Sequence, residues 1–572
     1  MKNTIYSYIE GNVAKKESVT AIAFKDQNIS FGEFLESVNG IYNKIVELNI
    51  KNEAIIIALE RCPLMIASMV AVVESRNYYV PVDFMYPRER IDYIVNHCKA
   101  GVIITDAAHK NQFTNSTVID IAEIENAKTK CREIEFTKER LAYCLYTSGS
   151  TGNPKGVLVN EPALINFVEG IDRIIPYSLS KSILCATTQC FDIFFLESIM
   201  ALMLGVTVVL TEAKDGANPK KLRQLINDHG IDMIQMTPSR VNLVKEFDED
   251  LKSFERVKII MIGGEVFPEA LLKELQSKTK ARIFNMYGPT ETTIWSSVGE
   301  LTDSKEVHVG KPILETTFCI IDSQNELVKN GETGELCIGG LGLSNGYLHD
   351  ESKTKERFIN VNGELVYKTG DNARYDAENG NYYVCGRIDN QIKINGFRVE
   401  LEEIENVGTK TEGVMQCVVH PVKKDGVVEK LVLFYVANRK LTGKEIEETM
   451  REYLPPYMIP TEYIQVDNFQ YTPNGKIDRK QLVYEENIQS SDTQSSGDED
   501  WDTVGALLQE LAGVPISVSG DEELKSIMNS LQFAKLLVEV ENRFDVEFDD
   551  EYLNMDRYES VYSIYTTMKE LI

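Results

Sequence analysis

Several features that the sequence lacks exclude whole classes of protein. Although the chain has 10 cysteines and 6 histidines, it has no Cys-X-X-Cys pair and no cluster of cysteine with histidine. We therefore expect isolated buried thiols in a reducing compartment and no zinc site. Long apolar runs are also missing. The most apolar run, residues 198–210, is shorter than the roughly 20 residues that cross a bilayer.

Positive charge is scarce. The chain has 60 Lys and Arg against 88 Asp and Glu, which gives a formal net charge of −28. This surplus argues against a nucleic-acid partner and against an anionic membrane surface. The first residues, Met-Lys-Asn-Thr, do not begin the apolar core of a signal peptide. We expect a cytoplasmic protein with no membrane and no nucleic-acid partner.

The order of apolar segments predicts layered α/β structure. Residues 31–48 and 63–73 have helical spacing, whereas residues 54–59 and 101–105 are typical of buried strands. Strands that alternate with helix-length segments favour parallel sheets covered by helices. Further predicted strands are 183–186, 206–210, 233–236, 257–262 and 282–286.

The composition changes along the second half of the chain. Residues 1–388 are predicted to form one large multi-layer α/β part, and residues 389–485 a small α+β part. Residues 486–500 are Ser- and Asp-rich without hydrophobic anchors, which is typical of a flexible linker. Residues 501–572 show helical patterning only, so they are expected to form a small all-α four-helix domain.

A loop rich in glycine and hydroxyl residues lies between predicted strands at 141–145 and 157–159. It reads Tyr-Thr-Ser-Gly-Ser-Thr-Gly-Asn-Pro-Lys-Gly over residues 146–156. Such a loop offers backbone N–H groups and hydroxyls to an anion, and Lys155 adds a positive charge. Pro154 departs from the Walker pattern. A surface turn is the alternative, but the motifs that follow favour phosphate binding.

A second motif follows the predicted strand at 282–286. Asn285, Tyr287, Thr290 and Glu291 offer an amide, an aromatic face, a hydroxyl and a carboxylate. These groups suit a purine base, its stacking partner, a phosphate oxygen and a magnesium ion. The segment would be an ordinary turn on its own, but together with the upstream loop it predicts a nucleotide site.

Three more motifs carry charges suited to a nucleotide. Asp371 follows a strand and could hold ribose hydroxyls. Arg387 and Asp389 lie where the large part of the chain gives way to the small one. Lys476 sits at a turn tip, from which a long cation could reach a cleft. Taken alone, Lys476 would be interpreted as an exposed surface lysine.

In this order the motifs resemble the ANL superfamily of adenylate-forming enzymes, over residues 1 to about 485. The most similar branch is the adenylation domain of nonribosomal peptide synthetases. Marks of that branch lie at residues 79–83, 334–340, 386–403 and 454–460. The resemblance implies a large adenylation subdomain at 1–388 and a mobile adenylation lid at 389–485.

The resemblance also assigns the ATP contacts. The loop would hold the β- and γ-phosphates through Thr147, Ser148, Gly149, Ser150, Thr151, Gly152 and Lys155. Asn285 and Tyr287 match the adenine contacts, and Asp371 matches the ribose ligand. Gly264 and Arg387 complete the implied ATP-binding set.

Catalytic roles follow from the same resemblance. Glu291 matches the magnesium ligand, and Thr290 and Lys155 match phosphate contacts. Lys476 matches the lysine that bridges the substrate carboxylate, the ribose and the α-phosphate, and Asp389 matches the hinge of the lid. Magnesium and these cations would spread the charge when a carboxylate attacks the α-phosphorus of ATP. The implied cofactors are ATP and magnesium.

The last part of the chain indicates where the activated group goes. Ser530 begins an amphipathic helix that presents Phe533, Leu537, Val540 and Phe544 on one face. A plain N-cap serine is the alternative. The helical domain behind a polar linker resembles a peptidyl carrier domain, which implies covalent phosphopantetheine on Ser530. A phosphopantetheinyl transferase would then be a partner.

The segment 191–197 points to the acid that is activated. Asp192 is a carboxylate in an otherwise apolar run, where it needs a cation such as an α-ammonium group or a structural Lys or Arg. The resemblance makes Asp192 the amino-group anchor of an amino acid. It places the remaining pocket at Ile193, Leu196, Gln235, Met261, Gly263, Met286, Ile294, Trp295 and Lys476. Trp295 and the aliphatic lining leave little room, which favours glycine, with cysteine or alanine as alternatives.

The sequence thus predicts an amino-acid adenylating ligase that loads its own carrier domain. No condensation or thioesterase domain fits in the chain, so we expect a loading or stand-alone module. A downstream condensation or tailoring enzyme is an expected partner, and an MbtH-like protein is a further candidate. Two alternatives are an acid–CoA ligase with an appended helical domain and a non-catalytic carrier protein.

Overall fold

The computed structural model describes most of the chain. The residues described are 4–113, 116–130, 140–149, 153–213, 215–389, 391–394, 396–424, 427–470, 477, 479, 482, 499–512, 533, 536–537, 539–540, 543–544, 548, 557–558 and 560–571. They divide into two compact units. The first unit contains residues up to 406 with 423–428 and 451–458, and the second contains 407–422, 429–450 and those from 459 onward.

The strands and helices of the described residues alternate through the first 300 residues. The strands are β1 Thr20–Phe24, β2 Gln27–Ser30, β3 Ala54–Ala58, β4 Tyr78–Pro81, β5 Val102–Thr105, β6 Thr117–Asp120, β7 Leu141–Thr147, β8 Lys155–Asn160, β9 Ser182–Cys185, β10 Thr207–Leu210, β11 Met233–Met236, β12 Ile259–Gly263, β13 Arg282–Tyr287, β14 Ser297–Glu300, β15 Lys311–Pro312, β16 Thr316–Ile321, β17 Thr333–Gly340, β18 Phe358–Val361, β19 Glu364–Asp376, β20 Asn381–Arg387, β21 Ile392–Ile394, β22 Phe397–Val399, β23 Val414–Lys424, β24 Val427–Ala437 and β25 Glu462–Gln465. The helices are α1 Ile5–Lys16, α2 Phe31–Glu47, α3 Pro63–Glu74, α4 Arg88–His97, α5 Glu161–Ile174, α6 Ile193–Phe195, α7 Ala201–Met203, α8 Pro219–Asp228, α9 Pro238–Phe247, α10 Glu269–Lys278, α11 Glu351–Arg357, α12 Leu401–Gly408, α13 Gly443–Tyr453, α14 Glu499–Ala512 and α15 Val561–Leu571.

Two large sheets lie in the first unit. Over the residues described, one sheet has the order β15-β14-β13-β12-β11-β9-β10-β1-β2, and the other has the order β6-β5-β3-β4-β7-β8. Their central strands pair in parallel, and β3, β4, β5 and β11 are buried along their whole length. Burial of both faces explains why these strands are continuous apolar runs in the sequence. The predicted α/β class is confirmed.

Local sequence signals account for the bounds of many elements. The predicted helix at 31–48 is α2, which Ser30 and Glu33 begin with a reciprocal capping box. The predicted strands at 54–59 and 233–236 are β3 and β11. A smaller antiparallel sheet, β16-β17-β19-β18 with β20 beside β19, carries the strand-rich region after residue 307.

The second unit is described by itself. Its sheet has the order β23-β24-β25, in which β24 and β25 are parallel. Further along the chain, Trp501 of α14 contacts Tyr562 and Tyr565 of α15, with ring centroids 5.1 and 5.3 Å apart. Phe533, Leu537 and Val540 are buried in the same cluster as Trp501, and Phe544 packs against it. The helical face predicted from these four residues is thus a core face.

Some predicted features lie outside the described residues. These are Ser150, Thr151 and Gly152 of the phosphate loop, Lys476, Ser530, and nearly all of the linker at 486–500. The domain boundaries at 388/389, 485/486 and 500/501 stay predictions. Within the parts of the chain that the structure describes, no helix is both long and apolar enough to cross a membrane.

Candidate active site

A cleft in the first unit brings together residues from distant parts of the sequence. Its walls come from the ends of β12 and β13, the middle of β19, the end of β20 and the chain after it, and the paired strands β21 and β22. It is lined by Phe191, Asp192, Ile193, Gly264, Tyr287, Gly288, Pro289, Thr290, Trp295, Asp371, Arg387, Gln391, Lys393, Gly396 and Arg398. Many of the predicted ATP and amino-acid contacts therefore share one cleft.

The predicted ribose ligand lies between an aromatic hydroxyl and a guanidinium. Tyr287 donates its hydroxyl proton to Asp371 Oδ2 at 2.5 Å, and Arg387 Nη1 donates to Asp371 Oδ1 at 3.0 Å. Arg387 also binds Asp389, the predicted hinge, through two hydrogen bonds of 2.6 and 2.8 Å. The carboxylate of Asp371 is thus held at the cleft wall, where its oxygens could accept from hydroxyl donors.

Glu291 is the charged centre of the cleft. Its side chain is fully buried beside three partners. Arg398 Nη1 lies 3.0 and 2.8 Å from the two carboxylate oxygens, and the Tyr347 hydroxyl donates to Oε1 at 2.8 Å. Lys155 Nζ lies 3.5 Å from Oε1. The predicted metal ligand is therefore bound by two cations of its own chain.

Arg398, Lys155 and Glu291 shift one another's pKa values in the cleft. Burial alone would raise the pKa of Glu291, but Arg398 and Lys155 together lower it far below the usual range. Burial and the charge of Arg398 lower the pKa of Lys155 to about 8. The glutamate is ionised at neutral pH, and the lysine is close to its titration range.

The donor set at Glu291 fits a magnesium ion bound together with a nucleotide. In the described ranges no group of three or more His, Cys, Asp and Glu side chains could hold a metal by itself. Magnesium needs no such cage, because it is commonly bound by one or two carboxylates, water and substrate phosphates. A buried carboxylate that already attracts cations is suited to this role.

The phosphate loop joins β7 to β8. These strands are antiparallel with Thr147 opposite Lys155, so the loop begins and ends beside the same pair of strands. Thr147 Oγ1 is buried and has no hydrogen-bond partner among the residues that the structure describes. A side chain at Gly149 would collide with the carbonyl oxygen of Asn153, which explains the glycine. The unpaired hydroxyl fits the prediction that this loop holds phosphate oxygens.

The predicted side-chain pocket is built on three adjacent strands. Gln235 on β11 pairs with Met261 on β12, and Gly263 on β12 pairs with Met286 on β13. Because side chains alternate across a strand, Met261 and Gly263 face the same side of the sheet. Ile193, Leu196, Met261, Met286, Ile294 and Trp295 belong to one buried cluster. The structure thus brings these predicted lining residues together.

Trp295 fills the space above Gly263. Its side chain is 3% exposed, and a Cβ placed on Gly263 would lie 2.9 Å from the indole Cη2. The two preceding residues, Thr293 and Ile294, have positive φ angles of 64° and 66°. Such angles cost about 1–3 kcal/mol each for non-glycine residues and are concentrated at functional sites. This backbone aims Trp295 into the pocket.

Asp192 lies where the pocket meets the cleft. It is buried, it immediately precedes α6, and the Thr290 side chain lies beside it and favours its ionised form. Burial raises the pKa of Asp192. Lys393 contributes a positive charge nearby, but no direct ion pair to Asp192 is seen among the described residues. The carboxylate is therefore suited to bind an additional cation.

One predicted contact already has a hydrogen-bond partner within the chain. Asn285, predicted to bind adenine, is buried on β13 and donates from Nδ2 to the carbonyl oxygen of His308 at 2.9 Å. Sequence reasoning also missed Tyr347, Lys393 and Arg398. Lys393 and Arg398 lie within the segment 386–403, where charged residues interrupt short apolar strands. Charged residues between short apolar strands are therefore the sequence signal that could have identified Lys393 and Arg398.

Fold and cleft together define an adenylate-forming enzyme. The family described as AMP-binding enzyme matches residues 9–348, and the family described as AMP-binding enzyme C-terminal domain matches residues 403–476. Because the first match covers more than half of the chain, the protein belongs to the AMP-binding enzyme family. The resemblance to the ANL superfamily is thus confirmed.

Individual relatives point to nonribosomal peptide synthetases. The dimodular nonribosomal peptide synthase of Bacillus subtilis (strain 168) is 34% identical over 480 residues, which cover 81% of this chain and 20% of that protein. The chain therefore spans about a fifth of that relative's length. Holo-PA1221, a synthetase protein with adenylation and PCP domains, shares the fold with a TM-score of 0.80 at 22% identity, over 95% of this chain and 92% of that chain. Holo-AB3403, a four-domain synthetase bound to AMP and glycine, has a TM-score of 0.61 at 26% identity, over 100% of this chain and 43% of that chain.

Proposed function

We propose that the chain activates glycine with ATP, forming glycyl-AMP and releasing pyrophosphate, for nonribosomal peptide synthesis. The observation that carries this proposal is the position of Trp295 above Gly263. The indole lies 2.9 Å from where a Cβ of Gly263 would be, so it fills the pocket floor and would leave room only for an amino acid with no side chain. The glycine that is bound to the related AB3403 supports the same substrate.

Asp192 would bind the α-ammonium group of glycine. A buried carboxylate is costly unless a cation is paired with it. Arg398 and Lys155 lie at Glu291, on the phosphate side of the site. The substrate amine would therefore supply the partner of Asp192. An acid without an amino group would leave this carboxylate unpaired, which argues against the acid–CoA ligase alternative.

The remaining residues would orient ATP for attack at the α-phosphorus. Asp371 would accept from the ribose hydroxyls, and Tyr287 would cover the base. Thr147, with its free hydroxyl, and Lys155 would hold the leaving phosphates. A magnesium ion bound at Glu291 would supply positive charge to those phosphates. Lys476 would carry positive charge to the reacting carboxylate. The site would thus stabilise charge rather than transfer protons.

In the second step the thiol of a phosphopantetheine arm on Ser530 would attack the glycyl carbonyl carbon, so that a thioester forms and AMP leaves. The carrier domain at 501–572 would reach the cleft through the linker at 486–500, which raises the effective concentration of the tethered thiol. The lid at 389–485 would turn at Asp389 between the two steps. A phosphopantetheinyl transferase, a downstream condensation or tailoring enzyme and an MbtH-like protein are the proposed partners, in the cytoplasm.

ATP–pyrophosphate exchange with each amino acid tests the proposed function. We expect glycine to give the highest rate, with alanine and cysteine at least tenfold lower, because a single small group changes discrimination by about 1–3 kcal/mol in an apolar pocket. A higher rate with a large or charged amino acid would contradict the glycine pocket. No exchange with any amino acid, together with acyl-CoA formation from another acid, would favour the CoA ligase alternative.

A further inference from the structure

Helix α4 presents two aromatic side chains to the two ends of the phosphate loop. Tyr93 and His97 are four positions apart, so they lie on the same face of α4, and their rings stack with centroids 5.3 Å apart. The Tyr93 hydroxyl donates to the carbonyl oxygen of Pro154 at 3.1 Å. His97 Nδ1 and the Tyr146 hydroxyl share a hydrogen bond of 2.8 Å. One helix therefore contacts the loop both where it begins and where it ends.

The contact at Pro154 holds the loop where strand pairing has stopped. The pairing of β7 with β8 ends with Thr147 opposite Lys155. Pro154 has no N–H group to donate, so its carbonyl oxygen is the backbone group through which a neighbour can hold this residue. Tyr93 binds that oxygen and thereby fixes the peptide bond that joins Pro154 to Lys155.

The contact at Tyr146 depends on a glycine in the opposite strand. Tyr146 on β7 pairs with Gly156 on β8, and a Cβ placed on Gly156 would lie 3.3 Å from Tyr146 Cζ. Gly156 thus leaves space for the Tyr146 ring beside His97. Burial and the neighbouring His349 lower the pKa of His97, and burial raises the pKa of Tyr146. At neutral pH the hydrogen bond therefore joins two uncharged groups.

We propose that Tyr93 and His97 are positioning residues that hold the phosphate loop in place for the β- and γ-phosphates of ATP. Tyr93 acts through the peptide bond before Lys155, and His97 acts through Tyr146, the residue before Thr147. This inference rests on the proposed function only in that the loop binds phosphates.

The cost of ordering a loop explains how these contacts act. A loop rich in glycine and serine loses conformational entropy when it becomes ordered around a ligand, and this cost weakens binding. Contacts that already hold both ends of the loop reduce the part of the cost that the ligand must overcome. Without Tyr93 and His97, more of the ordering would fall to the phosphates themselves.

Calorimetric titration of the full chain with two ligands, without any amino acid, tests the inference. ATP with magnesium carries the β- and γ-phosphates, whereas AMP has the same nucleoside and α-phosphate but lacks both of them. Tyr93→Phe should bind ATP about three- to tenfold more weakly than the wild type, the usual size for one lost hydrogen bond. It should bind AMP with unchanged affinity.

Two substitutions of His97 test the other end of the loop. His97→Leu removes the partner of the Tyr146 hydroxyl and should weaken ATP binding by a similar factor. His97→Asn keeps a polar atom close to the position of Nδ1 and should restore most of the wild-type affinity.

The matched control is Tyr435→Phe, in the second unit. It also removes a tyrosine hydroxyl that donates to a backbone carbonyl, that of Leu441 at 2.9 Å. This variant should bind ATP and AMP as the wild type does.

A purely structural role would give a different pattern, because a general loosening of the fold would weaken both ligands alike. Equal losses for ATP and AMP would overturn the inference, as would unchanged ATP affinity in Tyr93→Phe or in His97→Leu. A His97→Asn protein as weak as His97→Leu would overturn the role of the hydrogen bond to Tyr146. The absence of saturable ATP binding in the wild type would also overturn the inference, since the loop would then hold no phosphates.

The two proposals fail in different ways. Weaker ATP binding in Tyr93→Phe, with no amino-acid-dependent ATP–pyrophosphate exchange in the wild type, would contradict the proposed function alone. Glycine-dependent exchange in the wild type, with equal ATP affinity in both proteins, would contradict the positioning role of α4 alone.

Discussion

The two halves of the cleft differ in whether their charged side chains already have partners within the chain. On the phosphate half, Glu291 is bound by Arg398 and Lys155, so its charges are already paired within the chain. On the amino-acid half, Trp295 and its aliphatic neighbours are packed in an apolar cluster, and Asp192 has no direct ion-pair partner among the residues described. Under the proposed function, the phosphate half would exchange partners when a nucleotide binds, whereas the amino-acid half would keep the packing that it has here.

The two halves would therefore have different tasks: the amino-acid half would select the substrate, and the phosphate half would compensate the charge of the phosphates. In the proposed function the apolar pocket would select the amino acid by volume, with Trp295 held by the positive-φ backbone at Thr293 and Ile294. The phosphate half would contribute rate, because its charges would act on the transferred group. Substitutions in the two halves should therefore have different signatures.

The largest effect is expected from Glu291→Gln. Loss of this charge removes the predicted metal ligand and should lower kcat for ATP–pyrophosphate exchange by about 100- to 1,000-fold, the usual size for a lost transition-state contact. The matched control is Tyr347→Phe, which removes one hydrogen bond to Glu291 but keeps its charge. We expect that control to lose less than tenfold. Similar losses in both variants would contradict the role of the charge.

The next effect concerns Asp192. Asp192→Asn should raise the KM for glycine on the order of 100-fold, because the buried partner of the substrate amine is lost. Since burial raises the pKa of Asp192, removal of its charge should not lower the melting temperature. Asp371→Asn, on the ATP side, should instead raise the KM for ATP. Steady-state exchange with each substrate varied separates the two results, and an unchanged glycine KM in Asp192→Asn would refute the anchor.

Enlarging the pocket should change selectivity more than rate. Trp295→Ala should shift the alanine-to-glycine ratio of kcat/KM by about 10- to 200-fold toward alanine. It should also lower the free energy of unfolding by about 3–5 kcal/mol, because a buried tryptophan leaves a cavity. Trp501→Phe alters the other tryptophan of the chain, on α14, and should leave selectivity unchanged. An unchanged ratio in a folded Trp295→Ala protein would show that Trp295 does not limit the pocket.

The smallest expected effect is the uptake of protons by Lys155 when pyrophosphate binds. Its pKa of about 8 lies below that of an exposed lysine, so above pH 8 the free protein holds this group largely neutral. Bound phosphates favour the charged form and raise the pKa, so pyrophosphate binding should take up about three quarters of a proton at pH 8.5 and almost none at pH 6.5.

Calorimetry in buffers of different ionisation enthalpy measures this uptake. Lys155→Arg provides the comparison because arginine stays charged throughout. Equal proton uptake in both proteins at pH 8.5 would show that Lys155 does not titrate there.

Local patterns explain why much of the fold and the pocket could be predicted from the sequence. Apolar runs and capping residues gave β3, β11 and α2 nearly to the residue. Contacts between distant residues could not be predicted in this way. Arg398 reaches Glu291 across 107 positions, and Glu403 reaches Gly149 across 254. Such pairs depend on how the segment 386–403 folds back, which no local periodicity encodes.

Asn285 is a predicted site residue whose hydrogen-bond partner the sequence does not reveal. Its place in a nucleotide motif predicts an adenine contact, and the structure adds that its Nδ2 donates to the carbonyl oxygen of His308. A buried backbone acceptor must be satisfied, and the sequence does not reveal that His308 lies beside β13. Residue type and spacing thus located the cleft without determining each partner.

The most direct test of the central claim is the affinity of non-hydrolysable aminoacyl-adenylate analogues. Glycyl- and alanyl-sulfamoyl adenosine differ by one methyl group, which would point at Trp295 in the alanyl compound. Calorimetric titration of the wild-type chain should show at least tenfold tighter binding of the glycyl analogue. Equal affinity, or tighter binding of the alanyl analogue, would contradict a pocket shaped for glycine.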